Sequence, residues 1–344
     1  MEEKDVTFRH EGAIGRITLN RPKALNALTQ GMCAAMLVQL RAWAVDPPVR
    51  AVVIDAMPGR AFCAGGDVRA IYEAGKKADG RVMDFFRTEY RMNAAIRRLP
   101  KPYVALIDGF AFGGGCGVSM HGSHRVVSEN AVIAMPETVI GLFPDIGATF
   151  FLNRLPGEIG MYLALTGIRI GAADAIHCGL ATHFIASGNH AAVSARLIGG
   201  EAPDAILAEM GEAPPAAAEM MVHRDAIDRA FAASSVEEIL EHLEIEGDWG
   251  NKTAALLRTR SPTSLNVTFR QMRDGASLDF ESCQLMEFRI MARMMETRDF
   301  YEGVRAALID KDQKPRWNPD RLDKVSESDI DRFFAPLDED EFTL

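Results

Sequence analysis

The sequence lacks the marks of several large classes of protein. Its five cysteines are scattered and form no C-x-x-C pair, so the sequence favours neither a disulfide framework nor a zinc site and indicates a reducing compartment. The N-terminal residues contain neither an apolar signal core nor an Arg-rich presequence, and no stretch approaches the roughly 18 apolar residues of a membrane helix. These absences predict a cytoplasmic protein with no membrane-spanning segment and no metal site.

Nucleotide-binding and serine-hydrolase motifs are also missing. No G-x-G-x-x-G opens a helix, no Gly-Lys-Ser/Thr completes a P-loop, and no G-x-S-x-G elbow occurs. A formal net charge of -10 disfavours nonspecific binding to nucleic acid or to an anionic membrane. What remains is a globular chain of 344 residues, 48% hydrophobic and 25% charged, with room for a large α/β domain and an appended region.

Strand-like and helix-like segments alternate in the first half of the chain. Short apolar runs predict strands at 13–19, 51–57, 103–107 and 132–135. A helix is predicted after Thr29, because apolar side chains then recur at helical spacing, namely Met32, Met36, Leu40 and Trp43. This alternation predicts an α/β fold with parallel strands, in which the loops at the strand ends build the site.

The composition changes near residue 187. From there to about residue 215 the chain is rich in Ala, Gly and Pro, and after Ser261-Pro262 apolar residues repeat at helical spacing through Leu285, Phe288 and Met291. The sequence therefore predicts a core at 1–187 and a mainly helical region at 188–344.

Two glycine-rich loops follow predicted strands. They are Arg60–Asp67 and Asp108–Gly117, and paired glycines let backbone N–H groups approach a ligand closely. Two such donors aimed at one point form an oxyanion hole, which suits a reaction that places negative charge on a carbonyl oxygen. The plainer interpretation of each loop is a tight turn, in which Cys63 and Cys116 serve as small apolar residues.

A third segment, Met135–Gly147, places Glu137 and Asp145 in apolar surroundings. Burial penalises a charged carboxylate and raises its pKa toward values useful for proton transfer. The alternative is structural, with Glu137 capping a turn and Asp145 capping the next helix. His121 and His124 have the spacing of metal ligands but lack an evident third ligand, so a metal site is not favoured.

These loops resemble those of the crotonase superfamily. Phe62–Asp67 and Gly113–Gly115 match its two oxyanion loops. The resemblance implies a ββα spiral core with a helical C-terminal region covering the site. It also implies an oxyanion hole formed by the N–H groups of Gly66 and Gly114. Further residues implied to contact an acyl-CoA are Ala64 and Asp67 of the first loop, Lys23 and, as a second cation for the CoA phosphates, Arg21.

Within the superfamily the resemblance is strongest to the 3-hydroxyisobutyryl-CoA hydrolases. Enoyl-CoA hydratases carry a catalytic glutamate at the position of Gly117, whereas Glu137 matches their second glutamate and Asp145 matches an aspartate of the hydrolases. Glu89 matches a substrate-contacting glutamate of the hydrolases. The resemblance thus implies cleavage of a short branched 3-hydroxyacyl-CoA thioester in valine catabolism, with Glu137 as nucleophile or general base.

Two other functions stay open on the sequence. The chain could be an enoyl-CoA hydratase or isomerase that uses Glu137 as its only matching acid, or a noncatalytic CoA-binding protein. In each case the expected partner is an acyl-CoA, with CoA as part of the substrate, no separate cofactor, no nucleic acid and no membrane. A homo-oligomer is expected from the family, in which trimers are common.

Overall fold

The computed structural model describes residues 4–77 and 81–344. The chain forms two compact units, each assembled from separate stretches of sequence. The first comprises Met1–Asp67, Thr88–Ala134 and Arg169–Met221, and the second comprises Val68–Arg87, Met135–Ile168 and Val222–Leu344. These stretches interleave along the sequence, so they do not test a single boundary at residue 187, which stays a prediction.

The first unit contains two β-sheets. Their strands are β1 Val6–Glu11, β2 Ile14–Leu19, β3 Ala51–Ala56, β4 Ala61–Cys63, β5 Tyr103–Ile107, β6 Phe110–Phe112, β7 His124–Val127, β8 Val132–Ala134, β9 Ile170–Gly171 and β10 His183–Phe184. One sheet has the order β1-β2-β3-β5-β7-β10 and the other the order β4-β6-β8-β9. From β3 to β8, successive strands alternate between the two sheets. Because β4 pairs with β6 in parallel, the loops that follow these two strands lie at the same end of the smaller sheet.

The central strands pair in parallel, as the sequence predicts. β2 pairs with β3, β3 with β5, and β5 with β7, all parallel, whereas β1 pairs with β2 antiparallel. Strands β3 and β5 read as continuous apolar runs because both of their faces are buried. The predicted strand at 103–107 is found at those bounds, and the other three predicted strands are each shorter by one residue.

The helices follow the same numbering from the N-terminus. They are α1 Gln30–Ala44, α2 Val68–Lys76, α3 Arg81–Arg97, α4 Gly114–Gly117, α5 Ala148–Leu152, α6 Ile159–Thr166, α7 Ala172–Cys178, α8 His190–Ile198, α9 Pro203–Met210, α10 Arg224–Phe231, α11 Val236–Glu244, α12 Gly247–Leu257, α13 Pro262–Gly275, α14 Phe280–Met294, α15 Arg298–Val304 and α16 Glu327–Phe334. Among the described residues, no helix is both long and apolar enough to cross a bilayer.

Helix α1 confirms the prediction made from its apolar spacing. The Thr29 hydroxyl caps it by accepting a hydrogen bond from the Met32 N–H at 3.2 Å. The four predicted core side chains are all buried. Helices α8 and α9 lie in the Ala/Gly/Pro-rich stretch and pack Val193, Leu197 and Ile206 against one face of the larger sheet.

The second unit is mainly helical, and helices α13 and α14 form part of its core. Ser261 caps α13 by accepting from Ser264 N–H, with Pro262 in the first turn, as predicted. Helix α14 differs from its predicted face. Leu285 is only half-buried, while Gln284 and Glu287 are fully buried on the inward side. Two polar residues therefore interrupt the apolar stripe of a core helix, and buried polar groups require specific partners.

Candidate active site

The first glycine loop leaves strand β4 and is tied to the segment before α1. Leu28 and Gly66 form a parallel bridge, in which Leu28 N–H donates to Gly65 O at 2.8 Å and Asp67 N–H donates to Leu28 O at 2.9 Å. Because successive backbone groups of an extended chain point to opposite sides, the N–H of Gly66 points away from Leu28. The bridge therefore fixes this loop with the Gly66 N–H directed away from Leu28.

The second glycine loop brings Gly114 next to Gly66. Gly113 is the N-cap of the short helix α4, so the N–H of Gly114 belongs to the first turn, whose amides lack intrahelical acceptors. A methyl group built on Gly114 would lie 3.2 Å from the Gly66 nitrogen and 2.7 Å from Oε1 of Glu89. Glycine is thus required here by close approach, and the two predicted oxyanion residues are neighbours.

Glu89 lies on the inner side of α3 and reaches the same place. It is 2% exposed, and its carboxylate stands beside Gly114. The sequence places Phe85, Phe86, Tyr90 and Met92 around it, and all four are buried. Within the first unit, Glu89, Gly66 and Gly114 therefore form one cluster, consisting of a buried carboxylate beside two glycine amides.

The predicted CoA-contacting residues occupy the rim of this cluster. Ala64 N–H donates to Leu25 O at 3.0 Å, which joins the first glycine loop to the 3-10 turn Pro22–Ala24. Arg21 donates to Ala27 O at 2.6 Å and pairs with Asp67 at 3.3 Å, so its charge already supports the loop. Lys23 is exposed on the turn. Of the two predicted cations, Lys23 is thus the more exposed, whereas Arg21 contacts Ala27 and Asp67.

The two cysteines of the glycine loops are packing residues. Burial raises the pKa of Cys63 to about 12, although a hydrogen bond with the Gly65 backbone opposes the rise. Cys116 is buried and its thiol faces the carbonyl oxygens of Ala111 and Ala134. A nucleophilic cysteine must be a thiolate, and these surroundings favour the thiol.

Glu137 begins a short 3-10 turn, Glu137–Ile140, in the second unit. Its side chain is 8% exposed, and the neighbouring Leu142 and Phe143 are buried. The turn is anchored because Leu142 N–H donates to Glu137 O at 3.0 Å and the Thr138 hydroxyl donates to Leu165 O at 3.2 Å. The predicted apolar setting of this carboxylate is what the structure shows.

Asp145 is 6% exposed and precedes an unusual turn. Helix α5 begins at Ala148 with Gly147 as its N-cap, so Asp145 is not at the N-cap position considered for it from the sequence. Glu287 of α14 accepts from this helix start, receiving the Gly147 N–H at 2.6 Å and the Thr149 N–H at 2.9 Å.

Glu287 and its neighbour Gln271 of α13 were both missed by the sequence interpretation. Gln271 donates through Nε2 to Pro144 O at 2.6 Å and to the Thr149 hydroxyl at 2.7 Å. The signal that could have found them is that each places a polar side chain, a carboxyl group or an amide, among the apolar residues of a helix. The sequence could not say which distant turn they would contact.

Of the two histidines, His124 has other contacts. His124 has Ser123 Oγ at 2.8 Å from Nδ1 and Asp204 Oδ1 at 2.9 Å from Nε2, so both ring nitrogens are occupied. Across residues 4–77 and 81–344, no group of three or more His, Cys, Asp or Glu residues has the geometry of a metal site.

Known proteins resemble the chain over almost its whole length. The profile of the enoyl-CoA hydratase/isomerase family matches residues 14–334. The mitochondrial 3-hydroxyisobutyryl-CoA hydrolase of Xenopus tropicalis is 46% identical, covering 97% of this chain and 89% of the relative. The enzymes of the same name from Gallus gallus and Homo sapiens are 45% and 42% identical, covering 99% and 97% of this chain and 91% and 89% of those relatives.

Two solved structures share the fold throughout. A structure titled carnitinyl-CoA dehydratase, from Mycobacterium thermoresistibile, superposes with a TM-score of 0.94 at 39% identity, covering 99% of each chain. A structure titled enoyl-CoA hydratase, from Rhodobacter sphaeroides, gives 0.91 at 40% identity, covering 99% of this chain and 100% of that one. The fold class predicted from the sequence is confirmed.

The relatives correct one prediction. Their names place them in mitochondria, which contradicts the cytoplasmic location predicted above. That prediction drew on five cysteines without disulfide spacing, and the structure has all five as buried free thiols. Free thiols indicate a reducing environment, but they do not distinguish the cytosol from another reducing compartment.

Proposed function

The chain belongs to the enoyl-CoA hydratase/isomerase family, and on that premise we propose that it hydrolyses 3-hydroxyisobutyryl-CoA to the free acid and CoA. The observation that carries this proposal is the name shared by its relatives, which are 40 to 46% identical to it over nearly its full length. The reaction is thioester cleavage, in which the oxygen of water bonds to the acyl carbon, the carbon–sulfur bond breaks and CoA leaves as the thiolate.

The first unit supplies the electrostatic part of the proposed mechanism. Attack on a thioester carbon moves charge onto the carbonyl oxygen, and two preorganised N–H donors stabilise that charge best when both lie about 2.7–3.1 Å from it. The adjacency of Gly66 and Gly114 supports this role for their amides. Glu89, beside Gly114, would accept a hydrogen bond from the substrate hydroxyl or shape the acyl pocket.

Glu137 either attacks the thioester carbon itself or activates the water that attacks it. As a nucleophile its carboxylate forms a mixed anhydride and expels CoA thiolate, and water then cleaves the anhydride. As a general base it takes a proton from water, whose oxygen attacks the thioester carbon directly. Asp145 orients the attacking group or handles the proton that the leaving thiolate needs. Both schemes use a buried carboxylate, which fits the surroundings of Glu137.

The CoA moiety would be held at the rim of the glycine loops. We assign Lys23 to the phosphates, Ala64 and Asp67 to the neighbouring loop contacts, and Arg21 to the support of that loop through Asp67. The place we propose for the reaction is valine degradation. We further propose a homo-oligomer, with the trimer as the expected state.

Hydration is the competing function, and the titles of the two solved structures favour it. Gly117 argues against it in this chain. The residue lies buried in α4, where its N–H donates to Gly113 O, and it has no side chain that could deliver a proton. A hydratase would have to work with Glu137 as its only matching acid.

The test follows release of free thiol from 3-hydroxyisobutyryl-CoA and from crotonyl-CoA, by the wild type and by Glu137→Ala. We expect rapid thiol release from the first substrate and a loss of at least about 100-fold in the variant, because attack then lacks its activating group. Hydration of crotonyl-CoA without thiol release from either ester would refute the proposal.

A further inference from the structure

Asp145 is followed by a turn that the backbone does not favour. Ile146 has φ +59° and Gly147 has φ +83°, so two successive residues lie in the left-handed region. That region suits glycine, but it is a genuine outlier for a β-branched residue such as isoleucine. Such a turn persists only where its surroundings hold it in place.

Glu287 holds the C-terminal part of this turn. Its two carboxylate oxygens receive separate backbone N–H groups, Oε2 that of Gly147 and Oε1 that of Thr149. The side chain is fully buried at the middle of α14 and reaches 140 residues back along the chain. Because each oxygen of one side chain holds a separate amide, both Gly147 and Thr149 are tied to the same point of α14.

Gln271 connects the two ends of the turn. Its Nε2 donates both of its hydrogens, one to the Pro144 carbonyl just before Asp145 and one to the Thr149 hydroxyl. Pro144 and Thr149 bracket Asp145 and the two left-handed residues. Two fully buried side chains from two helices therefore clamp the six residues 144–149.

Glu287 is a buried carboxyl group in the electrostatic field of a second one, Asp145. Burial raises the pKa of Glu287 to about 8, while its hydrogen bonds with Thr149 and Gly147 oppose the rise and the charge of Asp145 adds to it. A buried carboxyl group beside another is unfavourable for folding alone, since an apolar residue of similar size avoids the desolvation. Its presence at this turn is easier to explain by what it positions.

We propose that Glu287, assisted by Gln271, is the positioning residue that fixes Asp145 for thioester hydrolysis. This inference rests on the proposed function of Asp145 and adds the means by which that carboxylate is held. Misplacing a catalytic group by about 1 Å costs on the order of 100-fold in rate, so loosening the turn should lower kcat while substrate binding persists.

The test compares Glu287→Gln with Asp174→Asn in the full chain. A glutamine has one acceptor oxygen, so one of the two N–H groups loses its acceptor and faces an NH₂ donor instead. Asp174 is a matched control, because it is a buried carboxylate in α7 whose Oδ1 accepts the Met220 N–H at 2.9 Å and whose pKa is raised by burial. The readouts are kcat and KM for thiol release, and amide hydrogen exchange at Gly147 and Thr149.

For Glu287→Gln we expect kcat to fall by about 10- to 100-fold with KM within about threefold of wild type, and faster exchange at both amides. Asp174→Asn should change none of these. A folded Glu287→Gln enzyme with wild-type kcat overturns the inference. If that variant does not fold, Gln271→Met is the deciding test, because it removes the hydrogen bonds that hold the same turn at Pro144 and Thr149. We expect its kcat to fall with KM unchanged, and an unchanged kcat overturns the inference.

The same experiment separates this inference from the function on which it rests. A wild-type protein that releases no thiol refutes the proposed hydrolysis. An active wild type whose kcat survives Glu287→Gln refutes only the positioning role.

Discussion

Replacing Gly114 with alanine tests the oxyanion hole directly. The added methyl would lie 3.2 Å from the Gly66 nitrogen, 3.1 Å from Cδ1 of Leu28 and 2.7 Å from Oε1 of Glu89. It would therefore crowd the space beside the Gly66 amide, where the proposed mechanism places the thioester oxygen. Loss of a single oxyanion donor costs about 100- to 1000-fold in kcat, or roughly 2.7–4 kcal/mol, and here the methyl disturbs two donors at once. We expect kcat/KM to fall by at least about 100-fold.

The assay is steady-state thiol release from 3-hydroxyisobutyryl-CoA, with thermal unfolding measured in parallel. Overpacking of this kind destabilises by about 1–3 kcal/mol, so the variant should remain folded at assay temperature. Gly188→Ala is the matched control, because a methyl there would meet no atom within 4 Å. A folded Gly114→Ala enzyme with kcat/KM within threefold of wild type would show that the oxyanion hole has been assigned to the wrong amides.

Three further predictions concern stability, binding and thiol chemistry. Glu287 has a folded-state pKa of about 8, raised from 4.5, so between those pH values the folded protein keeps a proton that the unfolded chain has lost. The contribution of this residue to the free energy of unfolding is then complete below about pH 4.5 and falls by up to about 1.4 kcal/mol per pH unit until about pH 8. Denaturant titrations of Glu287→Gln should lack that slope, and an identical slope would contradict the assignment. Lys23→Ala should raise KM about threefold or more at low salt while kcat stays unchanged, because it removes the exposed cation that we propose binds the CoA phosphates. A fall in kcat alone would exclude that role. The five thiols should react with a disulfide reagent only after denaturation, since all are buried, and rapid reaction of Cys63 in the native protein would contradict its raised pKa.

Local pattern was enough to predict much of the first unit. The spacing of Met32, Met36, Leu40 and Trp43 places the buried face of α1, and the Thr29 cap is where the sequence puts it. The glycine pairs at the ends of β4 and β6 indicated close backbone approach, and Gly66 and Gly114 do lie together. The α1 features depend on residues within one or two turns of each other in sequence, whereas the meeting of Gly66 and Gly114 was implied by the family resemblance.

The support of Asp145 could not be predicted in the same way. Its turn depends on Glu287 and Gln271, which lie more than 120 residues further along the chain. Both residues sit on helices whose apolar spacing suggested ordinary core packing. A polar residue in such a stripe indicates that a buried partner exists, but only the tertiary structure shows that the partner is the backbone beside Asp145.

Location also lay beyond local pattern. Free, buried thiols are compatible with more than one reducing compartment, so the cytoplasmic prediction had no structural feature to separate the alternatives. The names of the relatives, which the sequence by itself does not contain, supplied the correction.

The most direct test of the account is to incubate the wild-type protein with 3-hydroxyisobutyryl-CoA in ¹⁸O-labelled water and analyse the products by mass spectrometry. Hydrolysis predicts free CoA and free acid in equal amounts, with the new ¹⁸O in the carboxyl group of the acid. Hydratase chemistry would instead remove and restore water at the acyl chain, placing ¹⁸O in the hydroxyl group of a thioester that remains intact. The second result would contradict the account.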